Sequence, residues 1–312
     1  MLKITVIIPV YNASAFLKKA VESALQFEEV NEILLIEDCS TDDSLQISKK
    51  LAAENSKVQL FQHSDKGNHG AGASRNLGLE KASQDFIAFL DADDYYLPNR
   101  FNAERKLFKN EKIEGVFGAI GTDFLSEKGK KEFEEKFKNT TLTTVNYPAE
   151  GKEVFDGLLG LTPKVFGTFF HLNALTIRRS AILKNKLRFN ENLRVHQDSD
   201  FIIKLSYQSY LRSGTIDKAV AIRGVHDNNR ITKIVRYSEK YNQRQLLLWR
   251  SIYEWADLNN LDRPAKNRIF LIYRSFDLAV KKGIDKYFNI LCTVIKDPKI
   301  LQSRYRFTFL NR

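Results

Sequence analysis

Cysteine is almost missing from this chain. Its 312 residues hold only Cys39 and Cys292, far apart and at no metal or redox spacing, which excludes a disulfide framework. Long apolar runs are missing too. No stretch approaches the ~18 residues that a membrane-spanning helix needs, so no span is expected. The opening Met-Leu-Lys-Ile-Thr passes straight into an apolar segment ending at Pro9. It lacks the length and the small-residue cleavage site of a signal peptide, and a cytoplasmic location is expected. There is no internal repeat and no low-complexity tract. The larger N-terminal part has no excess charge of either sign, since residues 1–230 contain 32 Lys/Arg and 31 Asp/Glu. Nearly all of the net +11 comes from residues 231–312, with 17 basic and 7 acidic side chains. A segment of that kind suits an anionic surface or a solvated helical face. It says nothing about chemistry at the N-terminal end.

What is present is an ordinary globular composition, 43% hydrophobic and 28% charged, sufficient for a large domain with an extension. Over the first hundred residues short apolar runs alternate with helical patterns. Residues 4–8 form a continuous β-rich run, as in a strand buried on both faces. The spacing predicts a helix over 15–25 with Ser14 as its cap, a strand over 32–37, and a helix over 44–54 capped from Thr41-Asp42-Asp43-Ser44. A strand over 58–61, a helix over 73–82 and a strand over 86–90 follow. Pro98 reads as the first turn of a helix reaching Asn110. Repeated β-α-β units imply an α/β fold with a doubly wound, mostly parallel sheet flanked by helices. Ligands of such sheets bind beyond the carboxyl ends of the strands. Further on, strands are expected over 115–121, 172–177 and 219–224, and helices over 153–161 and 198–207. Residues 126–138 form a charged, exposed stretch. From Val235 the pattern is long-helical, with Leu248, Trp249, Ile252, Tyr253 and Trp255 in an apolar stripe and Pro264 opening another helix. The expected organisation is a catalytic domain over 1–230, split into halves 1–110 and 111–230, and a basic helical C-terminal extension over 231–312.

Four constellations fall where that rule puts ligands. Asp91-Ala92-Asp93-Asp94 follows the strand over 86–90. Three carboxylates in four residues repel one another unless a cation or hydrogen-bond donors offset them, and a hard divalent ion takes such oxygens together with phosphates. Residues 66–78 form a glycine-rich loop running into a helix that carries Arg75. This is neither a dinucleotide fingerprint nor a P-loop, yet its backbone and Arg75 favour anions. Pro9, Tyr11 and Asn12 end the first strand, and Glu37-Asp38 end the second. There a carboxylate suits the N3-H of uracil and the Tyr11 ring suits a base. His196-Gln197-Asp198-Ser199-Asp200 places two carboxylates just before a helix, where either serves as N-cap or as a base. His226 stands in the loop after the last strand, as a ligand to metal or phosphate or as a structural residue.

Together these pieces resemble the family 2 glycosyltransferases with the GT-A fold. The resemblance rests on Val6-Ile7-Ile8-Pro9-Val10-Tyr11-Asn12, Ile36-Glu37-Asp38-Cys39-Ser40-Thr41-Asp42, Ala73-Ser74-Arg75-Asn76 and Phe89-Leu90-Asp91-Ala92-Asp93-Asp94, in that order. It implies that Pro9, Tyr11 and Asp38 border the nucleoside, with Asp38 reading uracil. Arg75 would lie near the base or phosphates and Asp91 on the ribose side. Asp93, with His226, would bind a divalent metal, Mn²⁺ or Mg²⁺. Asp198 matches the family's base, although Gln197 replaces the Glu of its Glu-Asp pair. Cys39-Ser40 stands where Gly-Ser is common. The implied activity is inverting transfer of one sugar from a nucleotide sugar, such as a UDP-sugar, to a saccharide or lipid-linked acceptor in bacterial surface polysaccharide synthesis. Gln245-Leu246-Leu247-Leu248-Trp249-Arg250 lacks the order of the processive Gln-x-x-Arg-Trp motif. The basic extension then suits the anionic inner leaflet, as a peripheral contact, and no nucleic-acid partner is expected. A sugar-phosphate nucleotidyltransferase and a non-catalytic nucleotide- or nucleic-acid-binding protein are the alternatives. The oligomeric state does not follow from the sequence.

Overall fold

The computed structural model describes residues 1–136, 142–167, 169–227, 235–303 and 305–310. The first half contains β1 (Ile4–Val10), α1 (Leu17–Leu25), β2 (Val30–Glu37), α2 (Ser44–Glu54), β3 (Val58–Gln62), α3 (Ala71–Lys81), β4 (Phe86–Phe89), β5 (Tyr95–Tyr96) and α4 (Glu104–Leu107). The middle continues with β6 (Gly115–Phe117), β7 (Ala119–Phe124), α5 (Glu127–Lys136), α6 (Lys152–Leu159), β8 (Leu175–Arg178), α7 (Arg179–Lys184), α8 (Gln197–Gln208), β9 (Leu211–Ser213) and β10 (Ala219–Val225). The chain ends in α9 (Glu239–Leu258), α10 (Arg263–Val280), α11 (Gly283–Lys296) and α12 (Arg306–Leu310).

Alternation along the buried strands explains the two-sided architecture. In β1, Val6, Ile8 and Val10 join one core with Leu17, Ala20 and Val21 of α1, while Ile7 joins the opposite core with Leu79 of α3. In β2, Ile33 and Leu35 face the first core and Leu34 and Ile36 the second. A continuous apolar run therefore serves two faces, each covered by helices. Among the described residues the main sheet runs β3-β2-β1-β4-β8-β6-β9. Its strands are parallel except β8, which pairs antiparallel with both β4 and β6. A smaller sheet, β5-β10-β7, stands beside it. The expected mostly parallel α/β sheet flanked by helices is what forms.

Local expectations fail where tertiary bonds intervene. The strand expected over 115–121 divides at Gly118, where a Cβ would stand 2.8 Å from the Thr215 carbonyl oxygen, and the chain passes from the main sheet into the small one. The segment expected as a strand from residue 172 opens with a 3-10 turn, Leu172–Ala174, before β8. Ser14 does not cap α1. Its N-H donates to Asp42 Oδ2 at 3.1 Å and the helix begins at Leu17 with no side-chain cap. The helix expected from Pro98 to Asn110 is reduced to α4. Residues 98–103 run instead as turns, with Arg100 N-H donating to the Leu97 carbonyl at 2.9 Å and Asn102 N-H to the Asn99 carbonyl at 3.2 Å, while Asn99 Nδ2 donates to the Ala219 carbonyl at 2.9 Å. Arg100 Nε donates to the Asn173 carbonyl at 2.8 Å. Arg100 is 1% exposed and pairs with buried Glu104, so it ties these turns to β8.

The stripe expected in the C-terminal helices is buried as Leu246, Trp249, Ile252 and Ala256 of α9 against Ile269, Ile272 and Phe276 of α10. Phe155 of α6 and Ile203 of α8 complete this core. The extension is thus packed onto the sheet's helices. The expected boundary at 230/231 lies outside the described residues, as do Asn228, Asn229 and Arg230 of the loop after β10. No helix among the described residues is long and apolar enough to cross a membrane.

Candidate active site

The rim of the main sheet is built first by β1 and β2, whose register sets Val10 opposite Glu37. The chain turns sharply after each strand. Asn12 has φ 50° and Cys39 φ 62°, the left-handed region that costs an ordinary side chain about 1 kcal/mol. Cys39 thus takes the conformation that glycine enters freely. The two turns are laced together, with Asn12 N-H donating to Ser40 Oγ at 3.1 Å and Thr41 N-H donating to Asn12 Oδ1 at 2.8 Å. Pro9 lies at the end of β1, and Tyr11 stands at the rim 48% exposed.

Asp38 is buried and holds the glycine-rich loop. It accepts from the N-H of His69 at 2.7 Å, the N-H of Gly70 at 2.8 Å and Asn68 Nδ2 at 3.0 Å. This clamp sets the start of α3, with Gly70 at φ 88°. Five residues on, Arg75 is buried and its Nη2 donates to Asp91 Oδ1 at 2.6 Å. Burial pushes the Asp91 carboxyl up, but the Arg75 guanidinium, helped by the other positive groups around it, outweighs this and holds the group below the ordinary carboxylate value.

Asp91, Asp93 and Asp94 meet different environments. Asp94 accepts from Asn173 Nδ2 and from the Gly224 N-H at 2.9 Å. Burial first, then repulsion from Asp93 and Asp91, pushes it well above the ordinary carboxylate range. Asp93 is partly exposed, and its Oδ2 lies 3.2 Å from His226 Nε2. His226 also stacks on Phe16, with ring centroids 4.9 Å apart. Asp91, Asp94 and His171 form a second group with ligand atoms within 4.8 Å of one another.

These two groups differ in their fitness for a divalent cation. His171 is half-buried, and desolvation followed by Arg223 lowers its imidazole to about 4. Its Nδ1 accepts from the Asn173 N-H, which leaves the proton on Nε2, the atom facing Asp91. Both Asp94 oxygens already accept hydrogen bonds. That group is suited to shape the rim. The Asp93-His226 pair offers two donor atoms at a separation close to the ~3 Å expected of adjacent ligands bound at about 2.1 Å to one octahedral ion.

The fourth constellation sits at the start of α8. His196 has φ 63° and precedes the helix without a side-chain cap. Gln197 is pressed onto α3, its Oε1 2.1 Å from where a Cβ on Gly72 would stand, so a larger residue there would displace the Gln197 amide. This contact brings α8 against the helix carrying Arg75. Asp200 is fully buried, accepting from Lys204 Nζ at 2.7 Å and from Ser251 Oγ at 2.7 Å. It anchors α8 to α9. The Asp198 side chain, one half-turn away, accepts no hydrogen bond among the described residues and lies within electrostatic reach of His171. Neither Asp caps the helix. The geometry separates an anchoring carboxylate from one whose oxygens are open.

The sequence profile of glycosyl transferase family 2 matches residues 5–173, over half of the chain. The chain belongs to that family. A protein of Rickettsia bellii described as an uncharacterized glycosyltransferase is 29% identical over 241 residues, 76% of this chain and 31% of its own length. The GalNAc(5)-diNAcBac-PP-undecaprenol beta-1,3-glucosyltransferase of Campylobacter jejuni is 25% identical over 225 residues, 67% of this chain and 65% of its own length. The structure of S. aureus TarS residues 1–349 in complex with UDP-GlcNAc superposes with a TM-score of 0.63 at 17% identity, covering 97% of this chain and 83% of that one. That likeness establishes the GT-A fold. The chain spans from a fifth to about a third of the length of the first curated relatives it matches.

For this family 2 chain the structure brings Asp91, Asp93, Arg75 and His226 to one rim with Asp198 at its side. Pro9, Tyr11 and Asp38 stand at the neighbouring strand ends. Three participants escaped sequence reasoning. Asn173 accepts the Asp91 N-H at 3.1 Å and also donates to Asp94, which makes it the hub of the acidic segment. His171 precedes it, and Arg223 of β10 contributes positive charge to Asp91, Asp94 and His171. The available signal was two polar side chains flanking Leu172 at the entry to an apolar strand.

Proposed function

We propose that this chain is an inverting glycosyltransferase that moves one sugar from a nucleotide sugar, a UDP-sugar, to an acceptor hydroxyl. The observation that carries this reading is Asp198, the one carboxylate of its pair left without a hydrogen-bond partner among the described residues, beside the Arg75-Asp91 rim. Asp198 takes the proton of the acceptor hydroxyl as that oxygen attacks the anomeric carbon, and the bond from that carbon to the diphosphate breaks. Asp93 and His226 would hold a divalent ion, Mn²⁺ or Mg²⁺, whose charge offsets the diphosphate when bound. Arg75 and Asp91 orient the ribose side. Pro9, Tyr11 and Asp38 border the base. Because both Asp38 oxygens already accept from Asn68, His69 and Gly70, Asp38 shapes the uracil site through the loop it clamps in place of reading uracil directly. In this reading residues 1–230 are the catalytic unit, with the nucleotide side over 1–110 and the acceptor side over 111–230.

UDP as the nucleotide is supported by the UDP-GlcNAc complex of the TarS fold neighbour. A lipid-linked acceptor is supported by the name of the C. jejuni relative, and bacterial surface polysaccharide synthesis by the 28% identity to the minor teichoic acid biosynthesis protein GgaA of Bacillus subtilis over 211 residues. The test is to incubate the chain with UDP-sugars, Mn²⁺ and acceptor and to identify the product. Release of UDP is expected. Release of pyrophosphate marks a nucleotidyltransferase and ends this reading. Calorimetry of UDP binding with and without Mn²⁺ should show Asp93→Ala losing at least about tenfold of the metal-dependent affinity. Unchanged metal dependence in that variant removes Asp93 from the cation site.

A further inference from the structure

Residues 281–310 carry eight of the nineteen exposed large apolar side chains among the described residues, so apolar exposure is concentrated there rather than scattered. Five of the eight, Ile284, Tyr287, Phe288, Leu291 and Ile295, lie on α11. Their spacing of three, one, three and four residues aligns them in one stripe along the helix. The opposite side of α11 is already packed. Thr293 is buried and accepts from Arg274 of α10 at 2.9 Å, while Ile290 and Val294 rest on Leu278, Ile300 and Phe309. The helix is therefore docked on the protein by one face and presents a second apolar face outward, with Ile284 at 84% and Phe288 at 65% exposure.

The charge around this stripe indicates what covers it. Residues 281–310 contain seven Lys/Arg and two Asp/Glu, and Lys282, Lys296 and Lys299 at the ends of the helix are exposed. A second copy of the chain would bring the same positive charge against itself, which disfavours a symmetric pair. An anionic bilayer surface matches both features, since an amphipathic helix sinks its aromatic and aliphatic face below the headgroups while lysines stay among them. We propose that α11 is an interfacial membrane-docking helix for anionic lipid, lying in the surface without crossing it. Charge alone would suit any anionic partner. The apolar stripe is what selects a lipid surface. The proposal does not rest on the transfer reaction, and its test needs no turnover.

The test is co-sedimentation of the full chain with phosphatidylcholine vesicles, with and without phosphatidylglycerol. The wild type should bind the mixed vesicles at least about tenfold more strongly. Phe288→Asp combined with Leu291→Asp should weaken that binding on the order of 100-fold, with circular dichroism and melting midpoint unchanged because both side chains are exposed. Three outcomes overturn the proposal. The wild type fails to bind either vesicle, or the double variant binds as well as the wild type. In the third, ultracentrifugation shows an oligomer that the double variant dissolves while vesicles bind neither form, and the occupant is then a second copy.

Discussion

The two sides of the rim treat their carboxylates differently. On the β2 side, Asp38 is buried and both its oxygens accept loop donors. On the α8 side, Asp198 has no such bond, although both oxygens of Asp200, two residues later, are occupied like those of Asp38. Saturated carboxylates here hold backbone and helices in place, because leaving their donors unpaired in a buried setting costs more than the bond itself contributes. An unsaturated carboxylate keeps its lone pairs for an incoming proton. The number of donors each acid already serves, more than its residue type, separates scaffold from chemistry.

The sharpest way to break that comparison is to neutralise each carboxylate. Asp198→Asn should lower the rate of sugar transfer by on the order of 10³-fold, with UDP affinity and melting midpoint unchanged. A loss of stability instead would place Asp198 with the scaffold. Asp38→Ala should have the opposite profile, because three loop donors lose their acceptor. A destabilisation of about 3 kcal/mol is expected in urea unfolding. Asp200→Ala leaves Lys204 and Ser251 without their shared partner and should cost about 2–3 kcal/mol, read as a lower denaturation midpoint. If Asp200→Ala unfolded no more easily than wild type, the anchoring role would be disproved.

The smallest effect concerns Asp42, which laces α2 to the β1 turn. Burial pushes its carboxyl up, but hydrogen bonds from Ser44 and Ser14 overcome this and bring it from 3.8 to about 2. A group whose folded value is depressed stabilises the fold fully above its unfolded value. That contribution is lost as the pH falls through about 2. Asp42→Asn should therefore cost roughly 1–2 kcal/mol at neutral pH, discounted for partial exposure. The difference from wild type should close between pH 4 and pH 2, within the interval set by the two values. A gap that stayed constant across that interval would remove the carboxylate charge as its cause.

Much of this was legible along the chain, and the reason is locality. β1, β2, α2, β3, α3 and β4 were readable because each apolar run is bounded by polar or glycine residues within a few positions. The residues closing those runs then stand at strand ends by construction. That is why Asp91, Asp93, Arg75 and Asp38 were visible as candidates. His171, Asn173 and Arg223 were not, because the first two reach the rim from the 3-10 turn leading into β8, the antiparallel strand inserted between β4 and β6, and the third from a strand of the smaller sheet. The turns that replace the long helix expected after Pro98 are likewise held by partners that no local pattern shows. Arg100 forms its bonds with carbonyls more than seventy residues away.

By itself the sequence determined the alternation of strands and helices, the two-faced burial of β1 and β2, and the placing of carboxylates where strands end. Apolar periodicity and turn chemistry act over a few residues, so these features need no distant partner. Only the tertiary structure decided which carboxylate is left open. Asp198 and Asp200 are both acids in the first turn of one helix, and no local pattern distinguishes them. The distinction arises because α9 supplies Ser251 to one and nothing among the described residues supplies a donor to the other. The same holds for α11, whose two apolar sides look alike in sequence until α10 and α12 cover one of them.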